Sequence, residues 1–223
     1  MILLERALRY CDNVINGTEV TTKEVIRQCE AFKEDYYINQ YKECFEWYAD
    51  EKKLSIINNL LKLFNFPTGF VAGQQVLKNL CDFQCFLICG VFLFRYKNNP
   101  RKFKHNDITL FIARKNAKTS VVALIFILLM LTEQNLSEFY SICVSKELAA
   151  ELRKAIAQTI EASPLISKHF TISKTKTGDI TCKITKSFYQ PRVAEAGKNN
   201  SVRPSAICSD EHANFKDADN FNA

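Results

Sequence analysis

Lys118 and Thr119 stand at the end of a short polar segment that separates two apolar runs, residues 108–113 and 121–130. The letters AKT occupy the place of GKT in the phosphate-loop pattern GxxxxGK[ST], in which a strand leads through a loop into a helix. Such a loop turns backbone N–H groups and a helix N-terminus toward one point, which favours a polyphosphate. In that arrangement Lys118 reaches the β and γ phosphates of a nucleotide, and the hydroxyl of Thr119 ligates Mg²⁺.

The phosphate-loop pattern is incomplete in this chain, because Ile112 stands at its first glycine and Ala117 at its second. If the second position requires a positive φ, the methyl group of Ala117 costs on the order of 1 kcal/mol. The motif alone is therefore weak evidence for a nucleotide site. Its polar members are Arg114, Lys115, Asn116, Lys118, Thr119 and Ser120.

A second segment, farther along the chain, carries adjacent carboxylates at the end of an apolar run. Residues 206–208 are apolar, Ser209 follows, and Asp210 and Glu211 come next. A buried parallel strand that ends in a Mg²⁺ site has this pattern. Hydrolysis needs two acids there, because one holds the water shell of the metal and its neighbour deprotonates the attacking water. The alternative is a strand that ends in solvated acids without a ligand. A non-functional explanation of this kind is plausible for either motif alone, but it is less plausible for both motifs in this order.

The composition is that of a globular protein, with 47% hydrophobic and 24% charged residues. With 223 residues the chain can bury a sizeable core in one large or two small domains. Its longest apolar run, residues 121–131, is shorter than the ~20 residues that span a bilayer. We therefore interpret it as the buried helix after the phosphate loop, and we expect neither a membrane anchor nor a signal peptide.

The 9 cysteines and 3 histidines form no ligand cluster in the sequence. No CxxC pair is present, and the odd number of cysteines together with the position of most of them in apolar runs favours reduced thiols in a cytosol. Cys81, Cys85 and Cys89 are spaced by four and share one helix face, which permits metal binding. Because no histidine lies nearby, we favour packing of these thiols in a core.

Part of the net charge of +6 is concentrated directly before the predicted strand over residues 108–113. A run of basic residues can neutralise the phosphates of a DNA backbone, which makes binding salt-dependent. A solvated loop is at least as good an explanation, and the sequence leaves both open. The basic residues of this stretch are Arg95, Lys97, Arg101, Lys102, Lys104 and His105.

Residues 1–65 have apolar residues at helical spacing. We predict a first helix that ends at Gly17 and further helices over residues 23–36, 41–50 and 54–64. This region holds no catalytic constellation, so we expect it to pack on the core.

Residues 66–223 alternate between helical and strand patterns. This alternation predicts an α/β fold whose mainly parallel sheet carries its ligands at the carboxyl ends of the strands. We expect a three-layer αβα core of the P-loop NTPase type, preceded by the helical N-terminal region. The predicted elements are a helix over 80–94, a strand over 108–113, a strand over 140–144, a helix over 146–160 and a hairpin of 170–173 with 180–185.

The order of these motifs resembles the large terminase subunits of tailed phages, the motors that pump and cut viral DNA. YCDNVINGTEVTTKEVIRQCEAF is similar to the helical leader of that family, and LCDFQCFLICGVF is similar to its adenine-reading glutamine motif. ARKNAKTS resembles its phosphate loop RKNGKS, and GKNNSVRPSAICSDEHA resembles the approach to its metal-binding strand. A match in order and spacing is stronger than any single motif.

The resemblance implies ATP and Mg²⁺ as cofactors. It assigns Gln84 to the adenine, Lys118 and Thr119 to the phosphates and Mg²⁺, Asp210 to the metal, and Glu211 to the role of general base. The rest of the loop, Lys115, Asn116, Ala117 and Ser120, is expected to contact the nucleotide. Arg114 is a candidate for stabilising the γ-phosphate, and contact with a neighbouring acid is the alternative of equal weight.

The resemblance also implies partners and a location. The implied partners are double-stranded DNA, a small terminase subunit, a portal protein and further copies of the chain in a homo-oligomeric ring. The implied location is the host cytoplasm, with no membrane as a partner. The sequence stops at Ala223, soon after the two acids, so we expect the coupling motif and the nuclease domain of the family to be absent. Two alternatives stay open: a split-gene or decayed fragment that acts only as an interaction module, and a helicase-like P-loop ATPase.

Overall fold

The computed structural model of the chain describes residues 1–113, 115–143, 145–193 and 203–209. These residues fold into two compact units. The first unit contains residues 1–63 and 75–111, and the second contains residues 64–74 and the described residues from 112 onward. The predicted domains, 1–65 and 66–223, stay a prediction, because compactness alone does not define a functional domain.

The first unit is mainly helical. Thr22 accepts a hydrogen bond from the backbone N–H of Val25, and this cap explains why the second helix begins where the sequence predicted it. Within the core of this unit, the ring of Phe32 contacts those of Phe86 and Phe94 at centroid distances of 5.4 and 5.6 Å. The helices are α1 (Ile2–Ile15), α2 (Lys23–Tyr37), α3 (Glu51–Leu61), α4 (Val76–Asn79) and α5 (Asp82–Phe92).

A small antiparallel sheet completes the first unit, with the strand order β1 (Trp47–Ala49), β2 (Phe94–Tyr96) and β3 (Asn99–Phe103). The predicted helix over residues 41–50 is therefore wrong. A 3₁₀ turn, Asn39–Tyr41, precedes the first strand instead. Cross-strand pairing of aromatic residues overrides the helical spacing, because the rings of Trp47 and Tyr96 lie 5.1 Å apart on neighbouring strands.

The second unit has the predicted α/β class. Its 5-stranded sheet has the order β5-β6-β7-β4-β8, in which β4 pairs in parallel with β7 and β8, and β6 pairs antiparallel with β5 and β7. The parallel part is thus confined to three neighbouring strands, and the predicted hairpin is present as β5 and β6. The elements are α6 (Lys118–Thr132), β4 (Glu138–Cys143), α7 (Lys146–Glu161), α8 (Pro164–Ser167), β5 (Phe170–Ile172), β6 (Ile180–Cys182), β7 (Phe188–Val193) and β8 (Ala206–Ser209).

The helix α6 forms the centre of the second core, as its apolar sequence predicted. The ring of Phe126 contacts Phe139 on β4 and Tyr189 on β7, at centroid distances of 6.2 and 5.5 Å. The hydroxyl of Tyr189 shares a hydrogen bond of 2.6 Å with that of Ser141. In the described part of the chain, no helix combines the length and the hydropathy needed to cross a membrane.

The predicted strand over residues 108–113 is wrong, because the structure assigns no strand there. Ile108 is 47% exposed and Phe111 is fully exposed. A strand needs a neighbour that pairs with its backbone N–H and C=O groups, and no described strand pairs with this segment. Apolar composition alone was therefore insufficient evidence for this strand.

Candidate nucleotide site

The N-terminus of α6 carries the residues that the phosphate-loop pattern identified. Lys118, Thr119 and Ser120 form its first turn, and Ala117 is its N-cap residue. Lys115 and Ala117 both have left-handed backbone, with φ of 68° and 57°. Turns of this kind form concavities that bind anions, and a helix N-terminus adds unpaired N–H groups and the positive end of its dipole. The segment is therefore suited to hold phosphate.

Ala117 occupies the position that the pattern reserves for glycine, and it does adopt a positive φ. An alanine in left-handed backbone costs about 1 kcal/mol relative to the right-handed conformation, because its Cβ crowds the neighbouring carbonyl. The strain that we expected if this position had a positive φ is thus present. It lies directly at the entrance to α6.

A cavity of about 460 Å³ opens at the phosphate loop. Its volume is in the range of small-molecule sites in proteins, about 300 to 1,000 Å³. The wall combines the loop and the first turn of α6 with the end of β4 and the N-terminal part of α7. The lining residues are Ile112, Ala113, Lys115, Ala117, Lys118, Thr119, Ser120, Cys143, Leu148 and Glu151. The predicted loop residues are thereby brought together, apart from Asn116, which does not line the cavity, and Arg114, which lies outside the described residues.

The parallel strands β4 and β8 end beside this cavity. Ser209, the last residue of β8, is paired in register with Ile142, and the next residue of β4, Cys143, lines the cavity. The carboxyl ends of parallel strands share one edge of a sheet, where ligands of α/β proteins bind. Asp210 and Glu211 follow Ser209 in the sequence but lie outside the described residues, so their roles stay predictions.

Three residues of the cavity wall were missed by the sequence analysis: Cys143, Leu148 and Glu151. Ser145 caps α7 by accepting a hydrogen bond of 3.3 Å from the backbone N–H of Leu148. Leu148 and Glu151 are three residues apart and therefore lie on the same face of α7. This spacing indicates a shared face of α7, but it does not indicate that this face lines the cavity.

The cavity wall carries oxygen-bearing side chains, the kind of ligand that Mg²⁺ prefers. No group of three or more His, Cys, Asp or Glu side chains forms a metal site among the residues that the structure describes. Mg²⁺ prefers oxygen ligands and is usually bound by one or two protein side chains together with phosphates and water. The hydroxyl of Thr119 and the carboxylate of Glu151 supply oxygen at the cavity wall.

Gln84, the predicted adenine contact, belongs to the first unit. Its side chain is 5% exposed, and its Oε1 accepts a hydrogen bond of 2.8 Å from the backbone N–H of Cys81. Gln84 therefore caps α5, as a glutamine at the third position of a helix often does. Its contact with adenine stays a prediction.

The basic stretch before the phosphate loop is partly structural. Arg95 is 2% exposed, and its guanidinium carbon lies 3.7 Å from the centroid of the Phe103 ring. Lys104 forms an ion pair with the buried Asp35. The burial and the neighbouring Lys104 lower the pKa of His105. Packing therefore accounts for part of the stretch, whereas Lys97, Arg101 and Lys102 are exposed. For these three residues a solvated loop and a DNA contact both stay predictions.

The thiols of Cys85 and Cys89 are buried in the first unit, whereas Cys81 is exposed. The burial raises the pKa of Cys85 to about 11, which is typical of an unreactive thiol in a core. This burial favours packing over metal binding for the row of cysteines, as the sequence analysis preferred.

The fold and the sequence are both similar to those of known proteins. The fold is similar to that of the large terminase of bacteriophage HK97 in its crystal structure, with a TM-score of 0.56 and 19% sequence identity. That similarity covers 73% of this chain and 31% of the HK97 chain, so the present chain spans less than a third of that protein. No curated protein matches the sequence. Residues 82–222 match the family described as the terminase large subunit, ATPase domain, and because this match covers more than half of the sequence, the chain belongs to that family.

Proposed function

We propose that this chain is the ATPase part of a viral DNA-packaging motor. It binds ATP with Mg²⁺ in the cavity at the N-terminus of α6, and hydrolysis drives double-stranded DNA into a procapsid. One observation carries the proposal: the left-handed loop, the first turn of α6 and the end of β4 line a single cavity. Phosphate-binding backbone and a strand end that leads toward carboxylates are the two parts that this chemistry needs.

The loop residues bind and orient the triphosphate. The backbone N–H groups at the start of α6 donate hydrogen bonds to phosphate oxygens, and Lys118 neutralises charge on the β and γ phosphates. Thr119 offers its hydroxyl to Mg²⁺. When bound, the metal neutralises the charge that develops on the transferred phosphoryl group.

Asp210 and Glu211 supply the metal ligand and the general base in this proposal. Ser209 pairs with Ile142, and Cys143, the next residue of β4, lines the cavity. Asp210 and Glu211 follow Ser209 directly in the sequence. Asp210 then holds the water shell of the metal, and Glu211 takes the proton of the attacking water.

The remaining roles in this proposal are those that the resemblance to the terminase family implies. Gln84 reads the adenine, and Arg114 stabilises the γ-phosphate. The partners are double-stranded DNA, a small terminase subunit, a portal protein and further copies of the chain in a ring, in the host cytoplasm.

A catalytically weak interaction module is the second candidate function. One observation favours it: the strain at Ala117 lies in the loop that must hold the phosphates. A site that no longer bound nucleotide could tolerate this strain without consequence. Nucleotide binding by the purified chain therefore separates the two candidates.

The first experiment measures the affinity of the purified protein for a fluorescent ATP analogue in the presence of Mg²⁺. We expect Lys118→Ala to weaken binding by about tenfold to a hundredfold, since hydrogen bonds to charged groups contribute about 1.5–3 kcal/mol. Lys176→Ala is the matched control, because Lys176 is exposed in the loop between β5 and β6 and does not line the cavity.

Glu211→Gln is expected to retain nucleotide binding and to lose phosphate release. Equal affinity of Lys118→Ala and the unsubstituted protein contradicts the assigned site. No binding by the unsubstituted protein supports the interaction module instead.

A further inference from the structure

Glu151 is an exposed acidic residue of α7 that lines the cavity at the start of α6. Along this wall it is the single acidic side chain among the described residues, and it shares the wall with Lys118 and Thr119. No hydrogen bond or ion pair joins Glu151 to another residue within the described ranges. The role of this carboxylate is therefore not explained by the fold.

A carboxylate beside a triphosphate is electrostatically unfavourable. Both groups are negative, so the free energy of the bound nucleotide rises when Glu151 faces it across the same cavity. A divalent cation between them reverses the sign of this interaction, because it attracts both. The unpaired Glu151 is thus a liability for ATP alone and an advantage for ATP with Mg²⁺.

The chemistry of the donors also points to the metal. Mg²⁺ takes oxygen ligands and keeps several of its waters, which need acceptors for their hydrogen bonds. Glu151 accepts such bonds, and Thr119 offers a direct ligand on another part of the wall. We propose that Glu151 is a metal-positioning residue, which holds the water shell of the nucleotide-bound Mg²⁺. This inference rests on the proposed function, since it requires the magnesium nucleotide in this cavity.

The helix that carries Glu151 is held firmly in place. Ile156 is fully buried and Leu152 is 2% exposed. The guanidinium group of Arg153 donates hydrogen bonds to the backbone oxygens of Gly178 and Ser173, at 2.7 and 2.6 Å. A group that positions a metal must sit on a rigid element, and α7 meets this condition.

Glu151→Gln tests the inference by removing the charge and keeping the shape. Its matched control is Glu161→Gln, because Glu161 is an exposed carboxylate on the same helix that does not line the cavity. The affinity of each protein for the fluorescent ATP analogue is measured twice, in EDTA and across a titration with Mg²⁺.

We expect the effect of Glu151→Gln to change sign between the two conditions. In EDTA the variant binds the analogue about threefold more tightly, because one repulsion between exposed like charges is removed. In the titration it needs about tenfold more Mg²⁺ for half-maximal binding, the loss typical for a group that supports a metal from outside its ligand sphere. Glu161→Gln behaves like the unsubstituted protein in both.

Three results overturn the inference while the proposed function stands. Unchanged binding shows that Glu151 has no role, and equal weakening in both conditions shows that it contacts the nucleotide directly. Tighter binding in both conditions shows that Glu151 only reduces the positive charge of the lysines at the cavity.

If the unsubstituted protein binds no nucleotide, the proposed function is overturned, and the proposed role of Glu151 is overturned with it.

Discussion

Several charged side chains in the first unit are paired with one another, whereas several polar side chains at the cavity beside α6 have no partner among the described residues. In the first unit Asp82 accepts hydrogen bonds from both Arg6 and Arg9. At the cavity, Lys115, Thr119, Ser120 and Glu151 have no such partner in the part of the chain that the structure describes. Paired polar groups have already used their bonding capacity to hold the fold, and unpaired groups keep it for a ligand.

The group around Asp82 joins α1 to the start of α5. The Nε atoms of Arg6 and Arg9 each donate to the carboxylate at 2.7 Å, and Arg6 also donates to the backbone oxygen of Leu77 at 3.1 Å. The hydrogen bond from Arg9 is the main reason that the pKa of Asp82 is lowered, and Arg6 adds to the shift. This arrangement stabilises the charged form of the carboxyl group in the folded protein.

The largest effect on stability is expected from Asp82→Asn, which removes the charge that holds both guanidinium groups. We expect the free energy of unfolding at pH 7 to fall by about 2 kcal/mol, since charge-assisted hydrogen bonds contribute about 1.5–3 kcal/mol and leaving a partner unpaired costs more. Urea denaturation measures this change. Asp107→Asn is the control, because Asp107 is exposed and forms no ion pair with another described residue.

The same substitution has a signed dependence on pH. Because the pKa of Asp82 in the folded protein lies below its ordinary value of 3.8, its stabilisation is present above about pH 4 and is lost as the pH falls through the lowered pKa. The difference between Asp82→Asn and the unsubstituted protein should therefore shrink in acid. A difference that stays constant from pH 7 to pH 3 shows that the carboxylate is not held by the two arginines.

The parts of this fold that local signals specify were predicted from the sequence. The helices α2, α5 and α7 follow from hydrophobic spacing and caps, and the left-handed Ala117 follows from the phosphate-loop pattern. Strands depend on partners that are often far away in sequence, which explains the errors at residues 41–50 and 108–113. Likewise, the ion pair of Arg6 with Asp82 joins residues 76 positions apart, and no local pattern indicates it.

The wall of the cavity was also predictable only in part. The loop and the start of α6 could be predicted as neighbours because their order in the sequence defines their geometry. Glu151 and Cys143 reach the cavity only because α7 and β4 pack beside α6, and periodicity alone does not report such packing. The sequence therefore indicated the wall formed by the loop and the start of α6, but it did not indicate the opposite wall, formed by α7 and β4.

A pair of threonines on the helices of the second unit tests whether partnership separates structural from functional polar groups. Thr119 lines the cavity without a partner among the described residues, whereas the hydroxyl of Thr159 donates to the backbone oxygen of Ala155 at 2.8 Å and is buried. We expect Thr119→Ala to weaken binding of the magnesium nucleotide about tenfold, since it removes the hydroxyl that we propose as a metal ligand. Its free energy of unfolding should change by less than about 0.5 kcal/mol.

Thr159→Ala should give the opposite result. The loss of a buried methyl group and a hydrogen bond costs about 1 kcal/mol of stability, and nucleotide affinity is retained. Urea denaturation and the fluorescent ATP analogue give both quantities for each variant. If the two threonines lose stability and affinity in parallel, the presence of a partner does not indicate the role of a residue in this protein.

The smallest effect is expected at Ala117, where two contributions to stability oppose each other. Glycine at this position removes about 1–2 kcal/mol of left-handed strain, but it also makes the unfolded chain more flexible, which costs about 0.4–1 kcal/mol. Ala117→Gly should therefore leave the free energy of unfolding unchanged or raise it by up to about 1 kcal/mol. Ala150→Gly, inside α7, has no strain to relieve, and its free energy of unfolding should fall by about 1 kcal/mol.

Urea denaturation of both variants measures the difference in stability between the two sites. Equal losses at both positions contradict the strain at the phosphate loop, whereas a gain at Ala117 together with tighter nucleotide binding shows that this strain limits the site.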